Sequence, residues 1–187
     1  MYRKSWLTFV ALLTLTALTA AQDPIASGPK VGARPGPYLF WLFTGANRGQ
    51  EQCFICETAD RPAVVVFARN PSDALGKLAG KLDKALAEHK SAELKSWITF
   101  IGKDHETCDP LLVDWSKQHG LKALPVGALK EKDGPPTYLV AHEADVTVVL
   151  FVRRKVVGTF AFRADELTDT TANRVLEALP RLVAKKP

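Results

Sequence analysis

Two cysteines three positions apart, Cys53 and Cys56 in the stretch GQEQCFICE, are the residues of this chain best suited to chemistry. Thiols at this spacing can close a small disulfide ring, and such rings are reducible rather than inert. Cys53 comes first in the chain and is the expected attacking thiol. Glu51 and Glu57 flank the pair, and their charges would raise the pKa of a neighbouring thiol rather than lower it.

Three interpretations of the pair remain open. The first is a thiol–disulfide redox role through Cys53 and Cys56, exercised on a protein thiol or disulfide partner, and it is the one we expect. The second is a non-catalytic interaction or scaffold domain in which the pair is a local structural disulfide, worth roughly 2 kcal/mol for so short a loop. The third is a zinc or copper site completed by His105 and Cys108 of the segment HETC. The expectation is that no cofactor is bound.

Cys108 is the remaining cysteine, and it precedes a predicted helix. A helix N-terminus favours a thiolate, so Cys108 could serve as a third, resolving or reactive thiol. A partly buried structural cysteine is the alternative that we weight more heavily. The odd number of cysteines leaves one thiol spare or shared in an oxidising compartment.

The elements that position these residues form an α/β pattern. A continuous β-branched run at 62–68 predicts a strand covered on both faces. Helix-start chemistry follows at 70–73, and Asp109 and Pro110 predict the start of a second helix. Further strands are predicted at 38–45 and 96–102, with a hairpin of VTVVLFV and VVGTFAF and a C-terminal helix at roughly 167–183. This order predicts a mixed sheet, with a parallel half, a C-terminal antiparallel hairpin and helices on both faces.

The first residues have the plan of a secretory signal peptide. Arg3 and Lys4 precede an apolar run, and small residues end it at Ala21. We therefore expect residues 1–21 to be cleaved, 22–37 to be a flexible leader rich in glycine and proline, and 38–187 to form one domain. The expected location is the periplasm or the exterior, with no membrane attachment after cleavage, because the apolar run is shorter than a bilayer span.

Charge gives no indication of a nucleic-acid partner. The 187 residues include 25 Lys and Arg against 20 Asp and Glu, for a formal net charge of +5. The lysines alternate with acidic residues along a predicted helix, as in KLAGKLDKALAEHK, and no basic stripe with interleaved aromatic residues appears. Oligomeric state is left open by the sequence.

Three local features together resemble the thioredoxin-like superfamily over about residues 60–183. The segment HGLKALPV sets Gly120 and Pro125 five apart, the hairpin has a charged turn at Arg153-Arg154-Lys155, and a helix closes the chain. The chain is also similar to exported bacterial proteins of this kind in which CxxC is followed by VVVFAR. The resemblance implies a fold of the thioredoxin or peroxiredoxin type and makes Pro125 a candidate cis-proline.

The position of the cysteine pair departs from that family. In thioredoxin the pair opens the helix after the strand, whereas here Arg69, Asn70, Pro71 and Ser72 occupy that place. Cys53 and Cys56 precede the strand and should lie towards its opposite end. The resemblance thus implies the fold and little about the activity.

Overall fold

A computed structural model describes residues 23–184, and the predicted signal peptide lies outside them. One mixed sheet has the strand order β2-β1-β5-β4-β3-β6-β7. The strands are β1 (Phe40–Leu42), β2 (Glu51–Gln52), β3 (Ala63–Ala68), β4 (Lys95–Ile101), β5 (Val126–Leu129), β6 (Val146–Val152) and β7 (Lys155–Phe162). The helices are α1 (Phe54–Thr58), α2 (Asp73–Glu88), α3 (His105–Gln118) and α4 (Asp169–Val183), with 3-10 turns at Lys90–Ala92 and Pro136–Tyr138.

The centre of the sheet is the β-branched strand β3, all six residues of which are buried. It pairs in parallel with β4 and antiparallel with β6, and β4 pairs in parallel with β5. The β6–β7 hairpin completes one side, and β1 and β2 add antiparallel strands on the other. The predicted mixed sheet is therefore confirmed.

Helices lie on both faces, as predicted, but the three long ones share one face. Val64 and Val66 of β3 point to the face that packs against α2, α3 and α4. Val65 and Phe67 point to the other face, where α1 and the 3-10 turn at Pro136–Tyr138 pack. The β3–α2–β4 and β4–α3–β5 crossovers step in the same direction across the sheet, and right-handed crossovers of that kind put their helices on one side.

Helix α3 begins earlier than its predicted start. The side chain of Asp104 caps it by accepting from the Glu106 N–H at 3.1 Å, which places Pro110 inside the helix. The predicted cap at Asp109 is therefore wrong. Asp104 provides the same capping chemistry as soon as β4 ends, and Pro110 removes a single helical hydrogen bond, the one to the carbonyl of Glu106.

The segment expected to be a flexible leader is instead held against the sheet over its described part, 23–37. Gly32 N–H donates to the Val156 carbonyl at 2.8 Å, and Val156 N–H donates to the Ala33 carbonyl at 2.9 Å. The segment has no helix or strand, as its composition predicts. Gly32 adopts a positive φ of 88°, which lets the chain turn alongside β7.

The predicted hairpin and C-terminal helix are both present. Arg153 and Arg154 form the turn with positive φ values of 53° and 59°, the conformation that suits the twist of a two-residue hairpin loop. Thr168 caps α4 through a capping box with Thr171. Within residues 23–184, no helix is both long enough and apolar enough to cross a bilayer.

Candidate functional site

The cysteine pair lies on the short helix α1, which connects the edge of the sheet to β3. Cys53 is the N-cap of α1, and a disulfide joins it to Cys56, with their Cα atoms 5.4 Å apart. Phe54 anchors the helix, since its ring lies 5.4 Å from the rings of both Phe40 and Trp97 in edge-on contacts. The disulfide is therefore held against the face of the sheet that carries α1.

The two sulfur-bearing residues differ in exposure. Cys53 is half-buried, whereas Cys56 is exposed. The backbone N–H of Cys56 donates to the Sγ of Cys53 at 3.3 Å. A donor to sulfur favours the thiolate form, so Cys53 is suited to be the leaving thiolate when Cys56 is attacked. Chain order predicts Cys53 as the attacking thiol, whereas the surroundings of the two sulfurs favour the opposite assignment.

A hollow of about 210 Å³ opens beside Cys56. Arg34 and Arg154 line it together with the apolar side chains of Ile55 and Phe151. The sequence analysis missed both arginines. A signal for Arg154 was available: β6 runs antiparallel to β3, so the hairpin turn must lie at the amino end of β3, where the cysteine pair was expected.

A second cavity of about 240 Å³ lies on the other side of α1. Phe54 and Thr58 of α1 line it, and Leu94 and Trp97 close it from the start of β4. The Thr58 hydroxyl is not free for a ligand, because it donates to the Phe54 carbonyl at 2.6 Å. The walls of the cavity are mainly apolar, but the buried Ser96 hydroxyl also lines it and has no hydrogen-bond partner within residues 23–184.

The opposite end of β3 holds no cysteine and has a structural role. Arg69 donates to the carbonyls of Lys132, Ala141 and Ala144 at 2.9–3.0 Å. Ser72 caps α2 by accepting from the N–H of Leu75. The position that carries the redox pair in thioredoxin is thus used here to fasten a loop and to start a helix.

Cys108 is buried in the core, with 7% of its surface exposed. Burial is the main cause that raises the pKa of its thiol above the ordinary value, and the carboxylates of Asp104 and Asp109 act in the same direction. An activated cysteine needs the opposite shift. The geometry therefore favours the structural role over the reactive one.

Pro125 was the candidate cis-proline, and this prediction is wrong, because residues 23–184 contain no cis peptide bond. Pro125 leads into β5, and its carbonyl accepts from the Ile98 N–H at 2.9 Å, as part of the parallel pairing with β4. A trans peptide lets the chain enter that ladder in line. The strand that pairs antiparallel with β3 is β6, and Asp145 rather than a proline precedes it.

The four residues of the suggested metal site are not brought together. His105 stacks on the ring of Trp41, with 4.3 Å between centroids, and Cys108 belongs to the core on the face opposite α1. Cys53 and Cys56 are joined to each other. Over the part of the chain that the structure describes, no group of three or more His, Cys, Asp or Glu side chains is placed to hold a metal ion.

The other histidines have structural surroundings. His89 and His119 are the C-cap residues of α2 and α3. His119 packs against Trp115, with 5.2 Å between ring centroids. His142 lies on an exposed loop, with its Nε2 3.2 Å from a carboxylate oxygen of Asp133.

Comparison with solved structures identifies the fold. A proposed protein disulfide isomerase from Bacteroides thetaiotaomicron is 15% identical, aligns over 82% of this chain and 93% of its own, and has a TM-score of 0.59. A proposed thiol:disulfide interchange protein DsbE from Chlorobium tepidum is 15% identical, aligns over 81% and 99%, and has a TM-score of 0.56. The bacterioferritin comigratory protein of Xanthomonas campestris, studied for alkyl peroxide reduction, is 15% identical, aligns over 79% and 92%, and has a TM-score of 0.54.

The fold is therefore thioredoxin-like, as the sequence resemblance implied. At this level of identity the similarity concerns the fold alone. No protein-family model and no curated protein matches the sequence.

Proposed function

We propose that this chain is an exported thiol–disulfide redox protein that exchanges electrons with a protein thiol partner through Cys53 and Cys56. The observation that carries the proposal is the disulfide between a half-buried sulfur and an exposed one beside an open hollow. The predicted signal peptide supports export, and an oxidising compartment would keep the pair oxidised between turnovers.

The exchange has two steps. A partner thiolate attacks the Sγ of Cys56, the bond between the two sulfurs breaks, and its electron pair leaves on the Sγ of Cys53. A second partner thiolate then attacks the mixed disulfide and releases Cys56. Two partner thiols lose two electrons and two protons and become a disulfide, while Cys53 and Cys56 gain the same and become thiols.

The leaving sulfur is assisted by its surroundings. The N–H of Cys56 points at the Sγ of Cys53, so the charge that develops there meets a donor already in place. The side chain of Glu57 is exposed, so water screens its repulsion of a thiolate. The flanking acids therefore oppose the chemistry less than the sequence alone suggests.

The test is a redox titration of the purified mature protein in buffers of reduced and oxidised glutathione. We expect one reversible two-electron transition. The thiols that form are alkylated and counted by mass spectrometry. Cys108→Ala should leave the transition unchanged, since Cys108 lies in the core. A protein that remains oxidised over the whole range, and reduces no model disulfide, would contradict the proposal.

The second candidate is a non-catalytic scaffold domain. The observation in its favour is that the disulfide closes the turn from which Phe54 enters the core against Phe40 and Trp97. If the disulfide is only structural, Cys53→Ala/Cys56→Ala lowers the melting temperature, and the native protein shows no reversible transition in the redox titration. A redox role predicts the titration together with a folded double variant.

A further inference from the structure

Two arginines line the hollow into which the exposed Cys56 opens. Arg34 comes from the segment that precedes β1, and Arg154 from the turn between β6 and β7. Ile55 and Phe151 contribute apolar surface to the same lining. The hollow therefore combines one reachable sulfur with two guanidinium groups from distant parts of the chain.

Backbone hydrogen bonds fix the segments that carry these arginines. The N–H of Arg153 donates to the Asp60 carbonyl at 3.1 Å, which ties the hairpin turn to the loop after α1. The pair of hydrogen bonds between Val156 and the segment at Gly32 and Ala33 places Arg34 alongside β7. The fold therefore places both arginines in the lining of the hollow beside Cys56.

The charges around the hollow leave it positive. Arg154 faces a carboxylate, since its Nε lies 3.8 Å from Asp60 Oδ1, but both side chains are more than half exposed and the pair is weak. Within residues 23–184, no carboxylate approaches the guanidinium of Arg34 to within 4.0 Å. Glu57, the acid next to Cys56, lines the cavity on the other side of α1.

We infer that Arg34 and Arg154 select a thiol partner that carries carboxylates next to its sulfur, either a small acidic thiol or a cysteine within an acidic peptide. Guanidinium groups bind carboxylates through paired hydrogen bonds, and two of them here flank the sulfur under attack. The hollow is smaller than the roughly 300–1,000 Å³ of a ligand-enclosing pocket, so recognition takes place at its rim. This inference rests on the proposed function and assigns its substrate class.

The same arrangement assists the first step of the exchange. The incoming partner thiolate is an anion, and it forms its bond to Cys56 Sγ while the electron pair of the disulfide moves to Cys53 Sγ. Arg34 and Arg154 lower the cost of bringing that anion to the site, and carboxylates beside the thiol add further attraction. The partner supplies both electrons and both protons, so no other reductant is required.

The experiment measures the rate at which the oxidised full-length mature protein is reduced by matched thiols. One arm compares the peptides acetyl-Asp-Cys-Asp-amide and acetyl-Asn-Cys-Asn-amide, which have the same shape and differ in charge. The other arm compares 3-mercaptopropionate with 2-mercaptoethanol. All rates are divided by the thiolate concentration of each reagent, since the four thiols have different pKa values.

Variants separate the two arginines from general surface charge. Arg34→Gln and Arg154→Asn remove one cation each, and Asn is used at 154 because the residue has a positive φ of 59°. Arg153→Asn is the matched control, since it removes the same charge from the same turn at a residue that does not line the hollow. Arg154→Lys retains the charge, and a melting curve verifies that each variant is folded.

We expect the acidic peptide to react faster than the neutral one, with the preference falling about fivefold in Arg34→Gln or Arg154→Asn and much less in Arg153→Asn. A preference in the peptide arm alone assigns a peptide partner, and one in both arms assigns any carboxylate-bearing thiol. If the native protein shows no preference for the acidic thiol, or if Arg34→Gln and Arg154→Asn leave the preference unchanged, the inference is overturned while the redox function stands. If no thiol reduces the protein, the proposed function fails and this inference fails with it.

Discussion

The backbone N–H of Cys56 donates to the Sγ of Cys53 at 3.3 Å, so the two sulfurs of one disulfide have different surroundings. Cys53 has a donor and partial burial, whereas Cys56 is exposed to solvent. Burial limits access, and a hydrogen bond makes a thiolate more stable and less nucleophilic. In the proposed exchange, this asymmetry favours Cys56 as the sulfur that reacts with partners and Cys53 as the internal, resolving thiol.

Single-cysteine variants test this assignment. In a Cys108→Ala background, Cys53→Ser leaves Cys56 as the only thiol and Cys56→Ser leaves Cys53. We expect the Cys56 thiol to form a mixed disulfide with oxidised glutathione faster, on the order of tenfold, because access governs the rate. Mass spectrometry of quenched samples gives both rates. Equal rates, or a faster Cys53, would show that the structural asymmetry has no chemical consequence.

Two glycines of α2 provide a matched pair for the packing of α2 against α3. A methyl group at Gly76 would overlap the His119 ring, whereas one at Gly80 would be in ordinary van der Waals contact with its nearest atom, the His119 carbonyl oxygen, at 3.8 Å. Gly80→Ala should stabilise the protein by about 0.5–1 kcal/mol, the ordinary preference of a helix for alanine. Gly76→Ala should destabilise it by about 1–3 kcal/mol, as overpacking does.

Urea unfolding of both variants measures this difference. Gly76→Ala combined with His119→Ala is the control, because it removes the ring that the new methyl group would meet. We expect the double variant to be no less stable than His119→Ala alone, because the new methyl group then meets no ring. If Gly76→Ala stabilises the protein as much as Gly80→Ala, the close contact with His119 has been misassigned.

The strands that could be predicted from the sequence are those whose own residue types indicate that they are buried. AVVVFA of β3 is buried on both faces and is β-branched, so its sequence pattern and its environment agree. The hairpin turn at Arg153 and Arg154 lies between two apolar runs and is found there. By contrast β5 has the sequence VGAL, and its glycine is a weak strand former.

Tertiary contacts explain what the sequence could not provide. A Cβ at Gly127 of β5 would collide with the Trp41 carbonyl, so glycine is required there by the close approach of β1. Helix α1 has only five residues, FICET, too few for a helical period to appear. Arg34 and Arg154 are 120 positions apart, and only the pairing of β7 with the segment before β1 brings them to the same hollow.

A hydrogen-bonded trio lies under α1, and its central atom is the hydroxyl of Tyr38. Trp97 Nε1 donates to it at 2.8 Å, and the Thr99 hydroxyl lies 2.8 Å from it. Tyr38→Phe leaves the indole N–H of Trp97 without its partner in the core, so we expect a loss of about 1–3 kcal/mol. Because Trp97 also contacts Phe54 of α1, the fluorescence of the tryptophans should change as well.

Chemical denaturation measures the loss for Tyr38→Phe, and Tyr138→Phe is the matched control. The Tyr138 hydroxyl donates to the Gly36 carbonyl at 3.1 Å, so its removal leaves an acceptor rather than a donor unpaired. Carbonyl oxygens tolerate a missing partner better than N–H groups do, so the smaller loss is expected for Tyr138→Phe. A larger loss at Tyr138 would mean that the trio under α1 contributes little.

The buried thiol of Cys108 should make stability fall at alkaline pH. Burial raises the pKa of this thiol in the folded protein above its ordinary value of 9.0. Below pH 9 both the folded and the unfolded chain hold the proton, and stability is fully present. As the pH rises above 9 the unfolded chain loses the proton while the folded chain retains it, so unfolding becomes more favourable, by at most about 1.4 kcal/mol per pH unit.

Urea unfolding at pH 7, 9 and 10 measures this slope for the native chain and for Cys108→Ala, whose side chain does not titrate. Tyr38 and Tyr138 also have pKa values raised by burial, but they add to the loss of stability only above their ordinary value of 10.0. The difference between the two chains from pH 9 to 10 therefore isolates Cys108. We expect the alanine variant to be less stable at pH 7 and to lose less stability by pH 10, and parallel slopes would contradict the burial of the thiol.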